Sequence, residues 1–482
     1  MLSNKNSSRS SHLTIWVALG GVVAGIVAGF GAGVSPLLLV LLLIAVIVPI
    51  LFFRNVEQAV LAALIFRSAI DTISSPPLPS AFAIAIDILT LIYVVVLILQ
   101  RKPVQTDWLW WFLAGWVLLQ GMWVILLPLG GLGMDASFLS NSIREWVRLF
   151  SWLMMYLLVM QLKGRILPQR LITILFWSLL IPLTVAFLQI FVPSILPANL
   201  GPLTHSALPG ALSEGSRIRG TIGHPNGFAT YIFLFIALTN WKLNQSKQRF
   251  LWVILLGLLA FFYVSTKALF SLMMLGVFIL VLIAPKLNLL NLIGAVFLFG
   301  AVILLFGSTE FGQERLGSIS QTPLLNPNID VWRAILLSYG DGNSFNWRIA
   351  QWNELLQAWQ QYPILGYGLG LTKDITSNSL EAHNDYVRSL VEGGVVGFVA
   401  FLSFFAFQIA RIFQLIRKAV PNSPQHSFNC TLLAVIIAIP VGMITENIWT
   451  HTMLFFYWFT LLAVAGWDWN EVENKHIYSS SE

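Results

Sequence analysis

The chain of 482 residues is 57% hydrophobic and only 10% charged, with a mean hydropathy of +0.79. Soluble domains carry about 25% charged residues, so a single large soluble core is excluded and a polytopic membrane protein is indicated. The net charge of +6 then reports topology rather than nucleic-acid binding, and the lone cysteine, Cys430, excludes an intramolecular disulfide and a cysteine-based metal cluster.

A spanning helix needs about 20 mostly apolar residues. In chain order such runs fall at 13–33, 36–53, 56–70, 81–99, 108–127, 143–162, 170–192, 225–241, 250–266, 268–285, 289–306, 385–417, 430–447 and 449–467. The first has no small-residue cleavage site after it and reads as a transmembrane helix, not a removed signal peptide. The run 56–70 is short and carries Arg67, so it is either a half-helix or a crossing. The fold expected is an all-α polytopic membrane protein of about 12–14 transmembrane helices with a large, partly helical outer loop. The chain divides into N-terminal helices (1–192), central helices with a first outer loop (193–306), the large loop (307–384), and C-terminal helices with a tail (385–482).

The positive-inside rule sets the orientation. With the N-terminus and its Lys5 and Arg9 in the cytoplasm, 16 of the 27 Lys and Arg residues fall inside, provided 56–70 crosses, and the C-terminus is cytoplasmic too. The remaining eleven are Arg67, Arg144, Arg148, Arg217, Arg219, Lys267, Arg315, Arg333, Arg348, Lys373 and Arg388. They gather on the outer side, several beside apolar helices where an unpaired charge is costly. Such a cluster suits an anionic ligand such as a lipid diphosphate.

The loop 307–384 has internal order. Trp332, Ile335, Leu336 and Tyr339 repeat at helical spacing, as do Trp352, Leu355, Leu356 and Trp359. Two amphipathic helices are expected, lying on the outer membrane surface or over a cavity. The second ends at Pro363 and the turn PILGYGLG. Its glycines permit a tight return, but no strand precedes it and no GK[ST] follows, so it is not a nucleotide loop.

Chemistry concentrates in SLEAHNDYVRSLVEGGVVG. His383 stands just before a helix beginning near Asp385, with Asn384 or Asp385 as its N-cap. Histidine exchanges a proton near neutral pH, so a general base and an interfacial capping residue are both open readings on the motif alone. A metal site from Glu381, His383 and Asp385 has poor spacing on one helix face. Arg217 and Arg219 stand in SRIRGTIGHPNGFATY before another helix, where a guanidinium fork can grip phosphate. His224 and Asn226 flank Pro225 and shape that turn. Lys267 lies in YVSTKALF between two apolar runs, and Arg348 starts the second amphipathic helix one turn before Trp352, where solvent exposure is expected. No G-x-S-x-G, HExxH or Walker motif occurs.

At these residues the chain resembles the O-antigen ligase and polymerase (Wzy/WaaL-like) superfamily of bacterial membrane glycosyltransferases. Three stretches carry the resemblance, from about Arg217 to the last helix. They are R-x-R-G-T-I-G-H-P-N-G-F-A; S-T-K-A-L; and N-W-R-x-x-x-W through P-I-L-G-Y-G-L-G to H-N-D-Y-V-R-S-L-V-E-G-G-V-V-G. The resemblance implies a glycan transfer from a polyprenyl diphosphate carrier to an acceptor hydroxyl on the periplasmic face of the bacterial inner membrane. The acceptor would be a glycan or a lipid, and neither nucleotide sugar, metal nor other cofactor is implied. Carried over, His383 is the catalytic base. Arg217, Arg219, Lys267 and Arg348 bind the diphosphate, and Asn384, Asp385 and Glu392 support the site. Where the superfamily usually has arginine this chain has Lys267, which keeps the charge and loses the fork. The competing expectations are a transporter of a small anion such as bicarbonate, which calls for ionisable residues in mid-membrane like Asp87, and a non-catalytic membrane scaffold.

Overall fold

The computed structural model describes residues 47–71, 78–197, 200, 217–286, 288–308, 312–313, 317, 322–340, 344–377 and 379–469. The apolar run 13–33 and most of 36–53 lie outside the described residues. All regular structure among the described residues is helical, as an all-α polytopic membrane protein requires. Five helices are long and apolar enough to cross a membrane: Leu78–Leu99 (α3), Trp108–Leu126 (α4), the segmented span Pro168–Phe191 (α6 and α7), Asp385–Lys418 (α14) and Pro424–Gly442 (α15). Shorter apolar helices cover Arg249–Ser265 (α9), Leu269–Ile283 (α10) and Thr452–Ala465 (α16). Leu139–Met160 (α5) and Pro225–Gln245 (α8) are long enough in residues but more polar, and α11 covers Leu289–Gly307.

The chain divides into two compact units, Met1–Ala63 and Leu64–Glu482. In the first, the described residues begin with helix Ile47–Arg54 (α1), after which the chain turns by 119° into the helix starting at Val56 (α2). That geometry belongs to a broken span or a re-entrant loop rather than to a simple crossing over 56–70.

In the second unit α8 and α16 are buried almost all round, and they pack on each other and on neighbouring helices. A helix with no polar face has to be enclosed. Helix pairing in lipid depends on close packing rather than on removal of apolar surface from water. The aromatic side chains supply it: Trp152 of α5 stacks on Phe455 of α16 at 4.2 Å and meets Trp449 edge-on at 5.2 Å.

The two helices expected in the outer loop are present as Val331–Gly340 (α12) and Ser344–Trp359 (α13). On α12 the apolar side chains of Trp332 and Leu336 are exposed, whereas Ala334 and Ser338 are buried. On α13 Leu355 is fully buried against Tyr367, Ala382 and Val391. The second helix is thus a packing element of the bundle and not only a surface helix.

After α13 the glycine turn docks into a break in α14. Gly394 has φ 61° and ψ −162°, so the helical ladder is interrupted there. The turn makes good the lost bonds with its own backbone. Tyr367 N donates to Val391 O (3.0 Å) and Gly368 N to Glu392 O (2.9 Å), while Val395 N donates to Pro363 O (2.9 Å) and Val396 N to Ile364 O (3.2 Å). The chains approach so closely that a Cβ on Gly394 would strike the Ile364 carbonyl, and one on Gly366 the Val391 carbonyl. Further supports come from the N-terminal half. Trp123 Nε1 donates to Leu365 O (2.7 Å), Gly133 N to Gly366 O (3.1 Å) and Ser142 Oγ to Leu369 O (2.9 Å).

Gly394→Ala therefore combines a left-handed backbone with a backbone collision, and is expected to cost more than about 3 kcal/mol. The midpoint of thermal unfolding in detergent measures this, and a variant that melts with wild type refutes the docked break.

Candidate active site

His383 is placed by the elements on both sides of it. Asn384 caps α14, its Oδ1 accepting from Tyr386 N (3.0 Å) and Val387 N (3.1 Å). The preceding loop is clamped by α13, as Trp352 Nε1 donates to Ala382 O (2.6 Å) and Gln351 Nε2 to Leu380 O (2.8 Å). Between these fixed points His383 adopts φ +48°, a left-handed conformation uncommon for a side-chain-bearing residue. Strained backbone of this kind persists where the surroundings over-determine it, and it clusters at functional sites.

The imidazole stands between opposite charges. Its Nδ1 lies 3.5 Å from Glu446 Oε1 and 3.4 Å from Arg348 Nη2. One ring nitrogen cannot donate to the carboxylate and accept from the guanidinium at once. The tautomer with Nδ1–H toward Glu446 leaves Nε2 as the basic nitrogen. Trp347 meets the ring edge-on at 5.4 Å, and the Arg348 guanidinium lies over the same indole at 5.7 Å. Arg348 Nη1 also donates to Thr445 O (3.1 Å). Arg348 is half-buried within the site, not turned to solvent as its place on an amphipathic helix suggested.

Glu446 is the functional residue that sequence reasoning passed over. It sits in the link between α15 and α16, inside the run taken as the span 430–447, and is 4% exposed. The link is pinned to the start of α14. Asp385 N donates to Met443 O (2.9 Å), and Trp449 N donates to Asp385 Oδ2 (2.9 Å). The Glu446 carboxylate also accepts from Asn226 Nδ2 at 2.5 Å. Burial alone would raise its pKa, but His383, Arg348 and His451 around it hold it well below the usual carboxylate range, so it is ionised in the folded protein. The available signal was one acidic residue, five before a histidine, in the stretch GMITENIWTHTM between two apolar runs.

The sequence-identified cations divide. Arg217 is 7% exposed; its Nε donates to Thr266 O (2.9 Å) and its Nη2 to Asn226 Oδ1 (2.5 Å). It thus reaches the histidine through Asn226 and Glu446. Asn226, expected only to shape a turn, is the hinge of that chain, while His224 caps α8 with Nδ1 accepting from Asn226 N (3.1 Å). Lys267 follows Thr266 directly and has φ +54°. Arg219 Nη1 reaches Gly223 O at 3.5 Å. No contact between His383 and either Arg219 or Lys267 is formed among the described residues. Glu392 accepts from Arg388 Nε (3.0 Å) and from Thr372 Oγ1 (2.9 Å). It ties the glycine-turn region to α14, at a remove from His383.

His383, Glu446, Glu381, His224 and His451 line a cavity of about 390 Å³. Among the described residues no group of three or more His, Cys, Asp or Glu side chains has the arrangement of a metal site. The cavity can therefore present a base, a carboxylate that orients it and an adjacent guanidinium to a substrate.

Residues 210–402 match the family model described as O-antigen ligase. Over these residues, less than half of the chain, the sequence is similar to the O-antigen ligase family. The matched segment contains Arg217, Arg219, Lys267, Arg348, the glycine turn, His383 and Glu392, and ends within α14, before Glu446. No curated protein matches the chain. The helices long and apolar enough to span a bilayer make it a multi-pass membrane protein.

His451 provides a test of the packing around the site. Burial, partly offset by Glu446, lowers its pKa from the ordinary 6.5 to about 4. The unfolded chain then binds the proton more readily, so stability is complete above pH 6.5 and falls as pH drops from 6.5 to 4, by an amount on the order of 3 kcal/mol. Unfolding midpoints measured across that window should decline for wild type and lose much of the slope in His451→Gln. Equal slopes would contradict a buried neutral imidazole.

Proposed function

We propose that the protein transfers a glycan from a polyprenyl diphosphate carrier to an acceptor hydroxyl, as an O-antigen or exopolysaccharide polymerase or ligase on the periplasmic face of the inner membrane. The observation that carries this reading is His383 standing in a cavity with its Nδ1 between ionised Glu446 and Arg348. Nε2 takes the proton of the acceptor hydroxyl as that oxygen bonds to the anomeric carbon. The bond from that carbon to the diphosphate oxygen breaks, and its electron pair leaves with polyprenyl diphosphate. Glu446 faces the positive charge the ring acquires, in the manner of a carboxylate that holds a catalytic imidazole.

A diphosphate is already a good leaving group, so positioning, a base and preorganised positive charge are the contributions required of the protein. Arg348 supplies the charge nearest the histidine. Arg217, Arg219 and Lys267 extend it along the segment before α8 and the turn before α10, with Arg217 holding Asn226 and hence Glu446 in place. The chemistry asks for neither a nucleotide sugar nor a metal.

The test is turnover by purified protein of a polyprenyl diphosphate-linked oligosaccharide, read as release of polyprenyl diphosphate and extension or transfer of the glycan. His383→Ala is expected to lower the rate by about 10²–10⁴-fold, the usual contribution of a general base. Glu446→Gln should cost less, about 10–10²-fold, since it disturbs the ring's orientation and removes its counter-charge. Wild-type turnover by His383→Ala refutes the assignment of the base. Absence of any lipid-linked glycan turnover, with uptake of a small anion into vesicles, refutes the transferase.

A further inference from the structure

Far from His383, basic side chains stand without counter-charge at one end of an apolar groove. Helix α8 starts at the His383 cavity, which His224 and Gly227 line, and carries Lys242 in its last turn. Eighteen residues separate His224 from Lys242, a helical rise of about 27 Å. Lys242 and the histidine cavity therefore lie at opposite ends of α8.

The groove has a volume of about 590 Å³ and runs between the segmented span α6–α7 and α9. One wall carries Phe176, Leu180, Leu183 and Phe187, and the other Trp252, Leu255 and Phe262. Each series recurs at three- and four-residue steps, so each occupies one helix face. Phe176 meets Trp252 edge-on at 5.0 Å, which joins the walls, and meets the buried Phe235 of α8 at 5.6 Å, which sets α8 behind them. The rim is open, as Trp177, Leu180, Phe187 and Leu258 are exposed. From Thr173 to Phe187 the groove wall rises about 21 Å, more than the roughly 15 Å of hydrocarbon in one leaflet. It can take a lipid chain along its length.

Lys242 marks one end. Its Nζ donates to Thr173 Oγ1 (2.7 Å), and Thr173 lines the groove. The Thr173 hydroxyl gives its own proton to Gln169 O (2.6 Å), so the ammonium keeps two donors for another acceptor. Arg170 precedes Thr173 by three residues and Arg249 precedes Trp252 by three, so both prolong the lining faces past this same end. Among the described residues none of the three cations forms an ion pair. Nor does the local sequence offer a carboxylate: no Asp or Glu occurs between Glu145 and Glu214, or between Glu214 and Glu310. Those two stretches contain all of α6, α7, α8 and α9. Three unpaired cations at the end of an apolar slot of chain length are complementary to an anionic lipid.

We propose that this groove is a lipid site, which holds an acyl chain of an anionic glycerophospholipid with the phosphate on Lys242, Arg170 and Arg249. The positive-inside pattern assigns this end to the cytoplasmic leaflet, where basic pockets between membrane helices capture anionic heads. The seated lipid bridges α6–α7 to α9. The site stands apart from the transferase reading and uses none of its residues.

The test is native mass spectrometry of the full chain released from nanodiscs. The bilayer contains equal parts of phosphatidylglycerol and phosphatidylcholine with matched acyl chains, and a short-chain polyprenyl phosphate is added as competitor. Wild type is expected to retain one phosphatidylglycerol with at least tenfold preference over phosphatidylcholine. Arg170→Gln/Lys242→Gln/Arg249→Gln should bring that preference close to one, while Lys242→Arg alone should keep it. Leu183→Trp, which fills the slot, should lose the retained lipid whichever head it carries. Thermal unfolding in lipid-free detergent shows whether each variant folds. Added phosphatidylglycerol should then raise the midpoint of wild type and Lys242→Arg, and leave that of the triple variant unmoved. Equal retention of the two phospholipids by wild type means an adventitious lipid only, and overturns the proposal. So does a preference that survives in the triple variant, or displacement of phosphatidylglycerol by the polyprenyl phosphate, which would give the groove to a substrate lipid.

Discussion

The site depends on a backbone debt settled between two distant stretches of chain. A span cannot be interrupted unless other groups take up the hydrogen bonds it gives up, since lipid offers none. Here α14 breaks at Gly394, and residues 363–368 supply the missing donors and acceptors. The exchange fixes the long loop onto the bundle. Through Leu355, Tyr367, Ala382 and Val391 it also fixes α13, whose Trp352 holds the carbonyl next to His383. Remove the glycines and the supports of the histidine lose their common anchor.

A second constraint acts from the opposite side. The link between α15 and α16 carries Trp449 into the aromatic cluster of α5, α14 and α16, and that insertion places Glu446 three residues earlier. Asp385 accepts from the Trp449 amide while Asn384 caps the same helix. Polar residues that look like one local motif thus have separate tasks. His383 faces the cavity, Asn384 ends the helix ladder, and Asp385 binds the link that delivers the carboxylate. The chain Arg217–Asn226–Glu446–His383 is joined by a polar contact at each step, which is the condition under which a buried polar network gives rigidity and not instability.

Hydropathy made the helical class of this chain legible, because apolar runs of membrane length have few other uses. Helical periodicity likewise found α12 and α13, and the one-turn spacing of Arg348 and Trp352 put them on one face. That face meets the histidine loop, which spacing alone does not reveal. Glu446 was hidden because it terminates an apolar run, and its partners are 63 and 220 residues away in the chain. The supports from Trp123, Gly133 and Ser142 were equally illegible, as they bind backbone carbonyls of the glycine turn and leave no side-chain pattern. The N-terminal half, which lies outside the three stretches that carry the resemblance, holds the turn in place.

The break in α14 also bears on how the protein is made. A helix leaving the translocon normally carries its hydrogen bonds with it and can enter the bilayer as a finished unit. This one cannot be finished until residues 363–368, synthesised earlier and belonging to a loop, have folded back on it. Topogenesis and tertiary folding are therefore one cooperative event at this point in the chain. A truncation or a tag that delays the loop would leave a half-inserted span, exposed to quality-control proteases.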